Sequence, residues 1–87
     1  MYIILVYDVG EKRVAKALKT CRKYLTWVQN SVFEGEITDA KYKKLKYDFE
    51  KIMNKEEDSV LIYILRTTKY YKRECIGKEK NPMDIFI

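Results

Sequence analysis

Runs of apolar and polar residues divide the chain into strand-like and helix-like stretches. The run at 2–7 consists of β-branched residues, leucine and tyrosine, which is typical of a buried strand, and Asp8 follows it directly. The run at 60–65 is apolar at every position, which predicts a central strand covered on both faces. The acid at the end of the first strand needs a hydrogen-bond donor, a counter-ion or a metal, because burying an unpaired carboxylate is costly.

Two further stretches carry apolar residues at helical spacing, which predicts two amphipathic helices. Glu11 favours the start of the first helix, and Thr38 is placed to cap the second. The predicted apolar faces consist of Val14, Ala17, Leu18, Cys21 and Leu25 in the first helix and of Tyr42, Leu45, Phe49 and Ile52 in the second.

The remaining segments are shorter or less regular. Segment 26–37 has apolar residues on both sides of a polar centre, which predicts either a hairpin of two short strands or one strand with a bulge. Segment 67–81 is basic and rich in tyrosine, and its pattern assigns no element. The apolar tail at 83–87 is expected to add as a strand to a sheet edge, that of a partner chain included.

The order strand, helix, strand, strand, helix, strand predicts an α+β, ferredoxin-like βαββαβ fold with an antiparallel sheet and both helices on one face. The 87 residues form one domain, with a core at 1–66 and a C-terminal segment at 67–87 that is expected at a dimer or partner interface. A homodimer is expected, because the sheet face without helices is apolar and a domain of this size has a small core.

Positive charge is concentrated in the first helix. The chain carries a net charge of +5, and residues 11–24 contain six basic residues and one acid, whereas segment 36–58 is nearly balanced. Four lysines repeat at helical spacing, Lys12, Lys16, Lys19 and Lys23. This face is either a solvated helix surface or a nucleic-acid-binding surface, and the concentration of charge favours the second interpretation.

Composition excludes several kinds of site. Histidine is absent, which excludes Ser/His and Cys/His nucleophilic sites, and the two cysteines lack metal-ligand spacing. No apolar run is long enough to span a membrane and no signal-peptide pattern occurs, so a cytoplasmic protein with no membrane partner is expected. Hydrolytic chemistry in this chain would depend on carboxylate and metal.

Asp8 has two interpretations. It accepts hydrogen bonds from the following turn or pairs with Arg13, which is a structural role, or it binds a divalent cation. One carboxylate is a poor Mg²⁺ site by itself, because that ion takes one or two carboxylates together with water and substrate phosphate. Two Asp8 residues that face each other across a dimer axis would hold one Mg²⁺ or another divalent cation.

Three segments resemble the CRISPR-associated Cas-two (Cas2) family. They are Tyr-Asp-Val at 7–9, Val-Gln-Asn-Ser-Val-Phe-Glu-Gly-Glu at 28–36 and Glu-Asp-Ser-Val-Leu-Ile-Tyr at 57–63. The segment Gln-x-Ser-Val-Phe-Glu-Gly is the most specific of them. The loop that follows Asp8 is shorter than in many relatives, and Glu11 is its only acid.

The resemblance implies a ferredoxin-like homodimer whose C-terminal strand joins the partner's sheet. It also implies a role in CRISPR adaptation, in which the protein bridges dimers of the Cas-one integrase and holds double-stranded protospacer DNA. Members are further described as Mg²⁺-dependent endonucleases on DNA or single-stranded RNA. That role carries over to Asp8 as catalytic residue and metal ligand.

The basic and supporting residues complete the expected site. Lys12, Arg13 and Lys16 are the nearest matches to the family's nucleic-acid contacts, and Lys19 continues the same helix face. The supporting residues are Tyr7, Ser31 and Phe33, of which Phe33, like Trp27, is expected to pack in the core or at the dimer interface. Two functions are therefore expected: a metal-dependent endonuclease, or a non-catalytic adaptor that holds duplex DNA.

Overall fold

The structure is a computed structural model that describes residues 1–67 and 70–78. It contains five strands, two helices and a 3₁₀ turn at Glu11–Arg13. The strands are β1 (Tyr2–Asp8), β2 (Thr26–Gln29), β3 (Val32–Glu36), β4 (Ser59–Thr67) and β5 (Tyr70–Gly77). The helices are α1 (Val14–Arg22) and α2 (Asp39–Ile52).

The strands form one antiparallel sheet in the order β2-β3-β1-β4-β5. β1 is the central strand, with β3 on one side and β4 on the other. Its register with β4 pairs Tyr2 with Leu65 at one end and Asp8 with Ser59 at the other. The first four strands and the two helices have the order and pairing of the predicted ferredoxin-like fold.

The core lies between the sheet and the two helices. Leu5 and Phe33 from the sheet meet Leu45 and Phe49 from α2, and all four side chains are fully buried. Alternate residues of a strand face opposite sides of the sheet, so Val6 and its partner Leu61 lie on the face away from this cluster, and they are fully buried too. The central strands β1 and β4 are thus buried on both faces, as their apolar pattern predicts.

The helices largely follow their predicted faces. The cap of α2 is confirmed, since the backbone N–H of Lys41 donates to Thr38 Oγ1 at 3.2 Å. Val14, predicted on the apolar face of α1, is 41% exposed. That prediction is wrong because α1 begins only at Val14, after a 3₁₀ turn. Val14 is therefore the first residue of the helix and is not packed against the core. Neither helix in the described part of the chain is long and apolar enough to cross a membrane.

The hairpin prediction is confirmed, and the chain has a further strand that the sequence pattern did not assign. Asn30 turns the chain between β2 and β3 in the left-handed conformation (φ 46°), and the register shifts between Trp27 and Gln29. β5 pairs with β4, and its Ile76 joins the core. The sheet therefore extends past the predicted boundary at residue 66, to Gly77. The predicted tail strand at 83–87 lies outside the described residues.

Candidate active site and nucleic-acid interface

Asp8 ends the central strand and is exposed. The preceding residue, Tyr7, faces the helices and is buried in the core. Because strand residues alternate, Asp8 lies on the opposite face, on the same side as Val6. A carboxylate held by a central strand has a well-fixed backbone and an accessible side chain, which is the combination that a metal ligand needs.

A second carboxylate, Asp58, lies in the turn before β4 and is fully buried. Its Oδ1 accepts the backbone N–H of Gly10 at 2.8 Å, and its Oδ2 accepts the backbone N–H of Asn54 at 2.8 Å. Arg13 completes the set with Nε at 2.5 Å from Oδ2 and Nη2 at 2.9 Å from Oδ1, a bidentate pair. We call this group of four residues the Asp58 clamp.

The electrostatics of the Asp58 clamp favour the ionised carboxylate. The hydrogen bonds from Arg13 lower the pKa of Asp58 to about 2, and the two backbone N–H groups act in the same direction. Burial acts in the opposite direction but is outweighed. In return, the bond to Asp58 raises the pKa of Arg13.

The Asp58 clamp fixes the loop that follows Asp8. Through Gly10 and Arg13 it ties the segment after β1 to the turn before β4, 45 residues further along the chain. Gly10 leaves room for the guanidinium, because a Cβ at this position would lie 2.5 Å from Arg13 Nη2. The clamp thus stabilises the backbone on both sides of the Asp8–Ser59 pair.

The end of β5 also contacts the Asp58 clamp. The backbone N–H of Lys78 donates to the carbonyl oxygen of Asp58 at 2.8 Å. Gly77 has a φ of 89°, and a Cβ here would collide with that carbonyl and lie 2.7 Å from the Met53 methyl group. A glycine is therefore required at this position for both conformation and space.

Arg13 is engaged within the chain. Besides Asp58, its Nη2 donates to Glu57 Oε2 at 3.1 Å, and its side chain is only 22% exposed. The sequence suggested Asp8 or nucleic acid as the partner of Arg13. The structure gives its guanidinium the carboxylates of Asp58 and Glu57, and a contact from Arg13 to nucleic acid stays a prediction.

The lysines of the first helical segment, by contrast, face solvent. Lys12, Lys16, Lys19 and Lys23 are all exposed, and their spacing places them along one side of the 3₁₀ turn and α1. We call them the lysine stripe. The first residue of the stripe follows Asp8 by four positions in the chain.

The three supporting residues, Tyr7, Ser31 and Phe33, lie in or beside the end of β1. The Tyr7 ring is stacked on Phe33, with ring centroids 6.2 Å apart, and it also contacts Phe49 at 6.5 Å. The backbone N–H of Tyr7 donates to the carbonyl oxygen of Ser31 at 3.1 Å. Burial raises the pKa of the Tyr7 hydroxyl. Tyr7 and Phe33 are thus core residues that support the strand end, and their rings are not open to a nucleic-acid base.

Trp27 differs from Phe33, although both were expected to pack. Trp27 is 55% exposed on the edge strand β2, and its indole Nε1 donates to the carbonyl oxygen of Asn30 at 3.0 Å. Within this chain it contributes to the hairpin turn and not to the core.

The donor set at this end of the sheet fits half of a divalent-cation site. Across residues 1–67 and 70–78, no three His, Cys, Asp or Glu side chains are grouped to hold a metal ion. Both oxygens of Asp58 already accept hydrogen bonds, so Asp58 is not available as a second ligand for Asp8. A second carboxylate from another copy of the chain, with water and substrate phosphate, would complete the coordination that Mg²⁺ prefers.

Sequence reasoning missed the Asp58 clamp, although a signal for it was present. Asp58 directly precedes a strand that is apolar throughout, and it therefore raises the question that Asp8 raised about its partner. Gly77 was likewise not assigned. Its position after a basic segment gives no indication of the left-handed conformation that the structure shows.

Relatives of the chain share most of its length. A protein named CRISPR-associated endoribonuclease Cas2 from Dictyoglomus turgidum is 60% identical over 84 residues, which cover 97% of each chain. One of the same name from Pyrococcus furiosus is 51% identical over the full length of both.

Two solved structures are similar to this chain in both fold and sequence. A crystal structure described as cas2 superposes with a TM-score of 0.74 at 43% identity and covers 94% of this chain and 92% of the other. That of Streptococcus pyogenes Cas2 superposes with a TM-score of 0.69 at 34% identity, covering 75% and 86%. The model of the family described as CRISPR associated protein Cas2 matches residues 1–73. The chain therefore belongs to the Cas2 family.

Proposed function

We propose that the chain is a metal-dependent endonuclease of CRISPR adaptation that cleaves phosphodiester bonds with Asp8. The observation that carries this proposal is the exposed Asp8 at the end of the central strand. The lysine stripe begins four positions later in the chain. Relatives at 60% and 51% identity are named endoribonucleases, so single-stranded RNA is the first substrate to test and DNA the second.

The active form in this proposal is a homodimer with one shared metal ion. Asp8 is exposed at the end of β1 and lies on the sheet face away from the helices. Val6 and Leu61 on that face are fully buried within the chain, so contact between copies is expected at the exposed strand end. A twofold axis that passes close to this end would bring the two Asp8 residues towards each other. Neither copy needs a second carboxylate of its own, which agrees with the donor set of the described chain.

The residues have separate tasks in the reaction. The two Asp8 carboxylates would hold Mg²⁺ or a similar cation, which supplies Lewis-acid chemistry towards a phosphodiester. Lys12, Lys16 and Lys19 bind phosphates of the nucleic-acid backbone and hold the strand along the helix. The Asp58 clamp keeps the backbone around Asp8 in place through Gly10 and Arg13. Because the chain has no histidine, its activity should depend on the metal.

A second candidate function is that of an adaptor that holds double-stranded DNA and bridges Cas-one integrase dimers. The names of the relatives do not favour it, and one observation supports it. The lysine stripe runs the length of α1, away from Asp8, which suits binding along a phosphate backbone without reading of bases. In this function Asp8 has no catalytic task.

The test of catalysis is Asp8→Asn. This change keeps the size of the side chain and removes its charge, so cleavage of single-stranded RNA in Mg²⁺ should fall at least about a hundredfold, the scale of a lost catalytic group. Glu56→Gln is the matched control, because Glu56 is an exposed acid in the turn before β4. Equal cleavage by Asp8→Asn and the parent protein would show that the activity does not come from this site.

The test of binding is the triple variant Lys12→Gln, Lys16→Gln and Lys19→Gln. Affinity for nucleic acid falls as salt rises, and loss of three phosphate contacts should make the slope of log affinity against log salt less steep by about 2 to 3. Fluorescence anisotropy with duplex DNA and with single-stranded RNA measures the slope. The control triple Lys41→Gln, Lys44→Gln and Lys55→Gln removes the same charge from exposed positions elsewhere. Similar salt slopes for the two triples would exclude the lysine stripe as the binding surface.

A further inference from the structure

We propose that Glu57 competes with nucleic-acid phosphates for Arg13 and thereby limits how tightly the Asp8 end of the sheet binds nucleic acid. The competition rests on the proposed function, in which nucleic acid reaches this end of the molecule. Glu57 lies in the turn before β4, and its side chain is 68% exposed. The ligand that would replace it is the phosphate of a phosphodiester.

The guanidinium of Arg13 has two edges, each of which can hold an oxyanion with two N–H groups. Asp58 occupies the edge formed by Nε and Nη2, through its Oδ2 and Oδ1 oxygens. The second edge is formed by Nη1 and Nη2, and there Nη2 donates to Glu57 Oε2 at 3.1 Å. Within residues 1–67 and 70–78, Nη1 has no hydrogen-bond partner. Glu57 therefore takes one half of the second edge and leaves the other half open.

A phosphate suits this second edge better than a single Glu57 oxygen does. Pairs of arginine with phosphate are frequently bidentate, with two parallel N–H···O bonds, whereas Glu57 accepts only one. The Glu57 carboxylate is mostly exposed, and ion pairs of exposed groups contribute little free energy. Displacement of Glu57 by a phosphate should therefore cost little and gain one hydrogen bond.

The Asp58 clamp prepares Arg13 for this exchange. Asp58 and Glu57 accept from different N–H groups, so the bidentate pair with Asp58 stays intact when Glu57 leaves. The guanidinium is thus held in one orientation before nucleic acid arrives. A group that is already ordered loses less conformational entropy when it binds a ligand.

The clamp also places the second edge at the same end of the molecule as the proposed catalytic residue. Asp58 directly precedes Ser59, and Ser59 is the cross-strand partner of Asp8. Paired residues of antiparallel strands have Cα atoms about 4.5 to 5.5 Å apart. Arg13 is therefore anchored to the residue beside the partner of Asp8.

The charges of the group explain why Glu57 would limit binding. Arg13 carries one positive charge and contacts two carboxylates, Asp58 and Glu57, so the three side chains have a net charge of −1. This charge repels an approaching phosphodiester. With a neutral residue at position 57 the group has no net charge, and both halves of the second edge are available to the phosphate.

The first experiment compares Glu57→Gln with Glu56→Gln, which removes the same charge from the adjacent exposed position. Affinity for a short single-stranded RNA is measured by fluorescence anisotropy in EDTA, so that metal-dependent cleavage does not interfere. Glu57→Gln should bind up to about fivefold more tightly than the parent, the scale of an exposed ion pair. Glu56→Gln should change affinity by less than about twofold. Equal gains in the two variants would overturn the proposal.

The second experiment repeats both substitutions in Arg13→Lys. Lysine keeps the positive charge but lacks the planar fork of a guanidinium, so the gain from Glu57→Gln should fall to that from Glu56→Gln. A gain as large as in the parent would show that Glu57 acts through its charge alone and not through Arg13. The titrations are carried out at a temperature at which circular dichroism shows all variants to be folded.

Binding in EDTA is also independent of the proposed catalysis. If Asp8→Asn cleaves RNA as well as the parent does, catalysis by Asp8 is excluded, and tighter binding by Glu57→Gln alone still supports the competition for Arg13. If cleavage requires Asp8 but Glu57→Gln and Glu56→Gln bind RNA equally, only the competition is excluded.

Discussion

Asp8 and Asp58 are the same kind of residue at the same end of the sheet, but their surroundings differ. Asp58 is fully buried and accepts hydrogen bonds from Arg13, Gly10 and Asn54. Asp8 is exposed, at the end of the neighbouring strand. The hydrogen bonds of Asp58 fix two loops and leave its carboxylate no capacity for a ligand, whereas Asp8 is accessible to one.

The difference shows how a small domain separates stability from chemistry. A buried ionised carboxylate is tolerated only when its hydrogen bonds are complete, and removal of one partner is then costly. An exposed carboxylate adds little to stability even when it is paired. The four predictions below test this separation of the two residues.

The largest expected effect is that of Asp58→Asn on folding. The amide removes the charge that Arg13 neutralises, and its NH₂ group cannot accept a hydrogen bond. The free energy of unfolding should fall by about 3 to 5 kcal/mol, the usual cost of breaking a buried ion pair. Urea denaturation followed by circular dichroism, at a fixed protein concentration, measures it. A loss below about 1 kcal/mol would mean that the Asp58 clamp does not stabilise the fold.

The second prediction concerns acid. The folded-state pKa of Asp58 is about 2 and its usual value is 3.8, so the unfolded chain binds the proton more tightly. The stabilisation is complete above about pH 5 and is lost as the pH falls through 2, and it amounts to about 2 kcal/mol. The unfolding free energy of the parent should therefore drop more steeply below pH 5 than that of Asp58→Asn. Parallel curves for the two proteins would contradict the assignment to Asp58.

The third prediction is for Arg13→Lys, which keeps the charge and removes the bidentate geometry. Lysine cannot donate to both Asp58 oxygens from the position of a planar guanidinium. The unfolding free energy should decrease by about 1.5 to 2 kcal/mol, the lower part of the range for one lost hydrogen bond to a charged group. Lys12→Arg is the control at the adjacent exposed position. If Arg13→Lys lowers nucleic-acid affinity without loss of stability, Arg13 is a binding residue and not a clamp residue.

The smallest expected effect on stability is that of Asp8→Asn. The side chain is exposed, so the free energy of unfolding should change by no more than about 0.5 kcal/mol. Thermal denaturation of the parent, Asp8→Asn and Asp58→Asn in one series measures the contrast directly. A loss for Asp8→Asn as large as that for Asp58→Asn would remove the distinction between the two carboxylates, and with it the argument for a catalytic Asp8.

Local patterns predicted most of the fold. The apolar runs of β1 and β4, the Thr38 cap and the hairpin around Asn30 all depend on neighbours within a few residues, which a sequence displays. β5 was not predicted because its three consecutive charged residues, Lys-Arg-Glu at 72–74, interrupt the apolar pattern that marks a strand. Its formation depends on the edge that β4 offers, which is a tertiary effect.

The candidate site was predicted less completely, for a related reason. Asp8 stands out because it ends an apolar strand, and the lysine stripe stands out by its spacing. The pairing of Arg13 with Asp58 joins residues 45 positions apart, and nothing in either local sequence specifies the other.

The central position of β1 also bears on how the chain folds during synthesis. The strand that carries Asp8 leaves the ribosome well before β4, which completes its pairing and comes at 59–67. Such contacts between distant segments form slowly, because a long loop must close before any of them is made. The edge of β1 that faces β4 therefore has no partner until residues 59–67 have been made. A nascent chain stalled before residue 59 would expose a hydrophobic strand edge, which is a target for chaperones and a risk for aggregation.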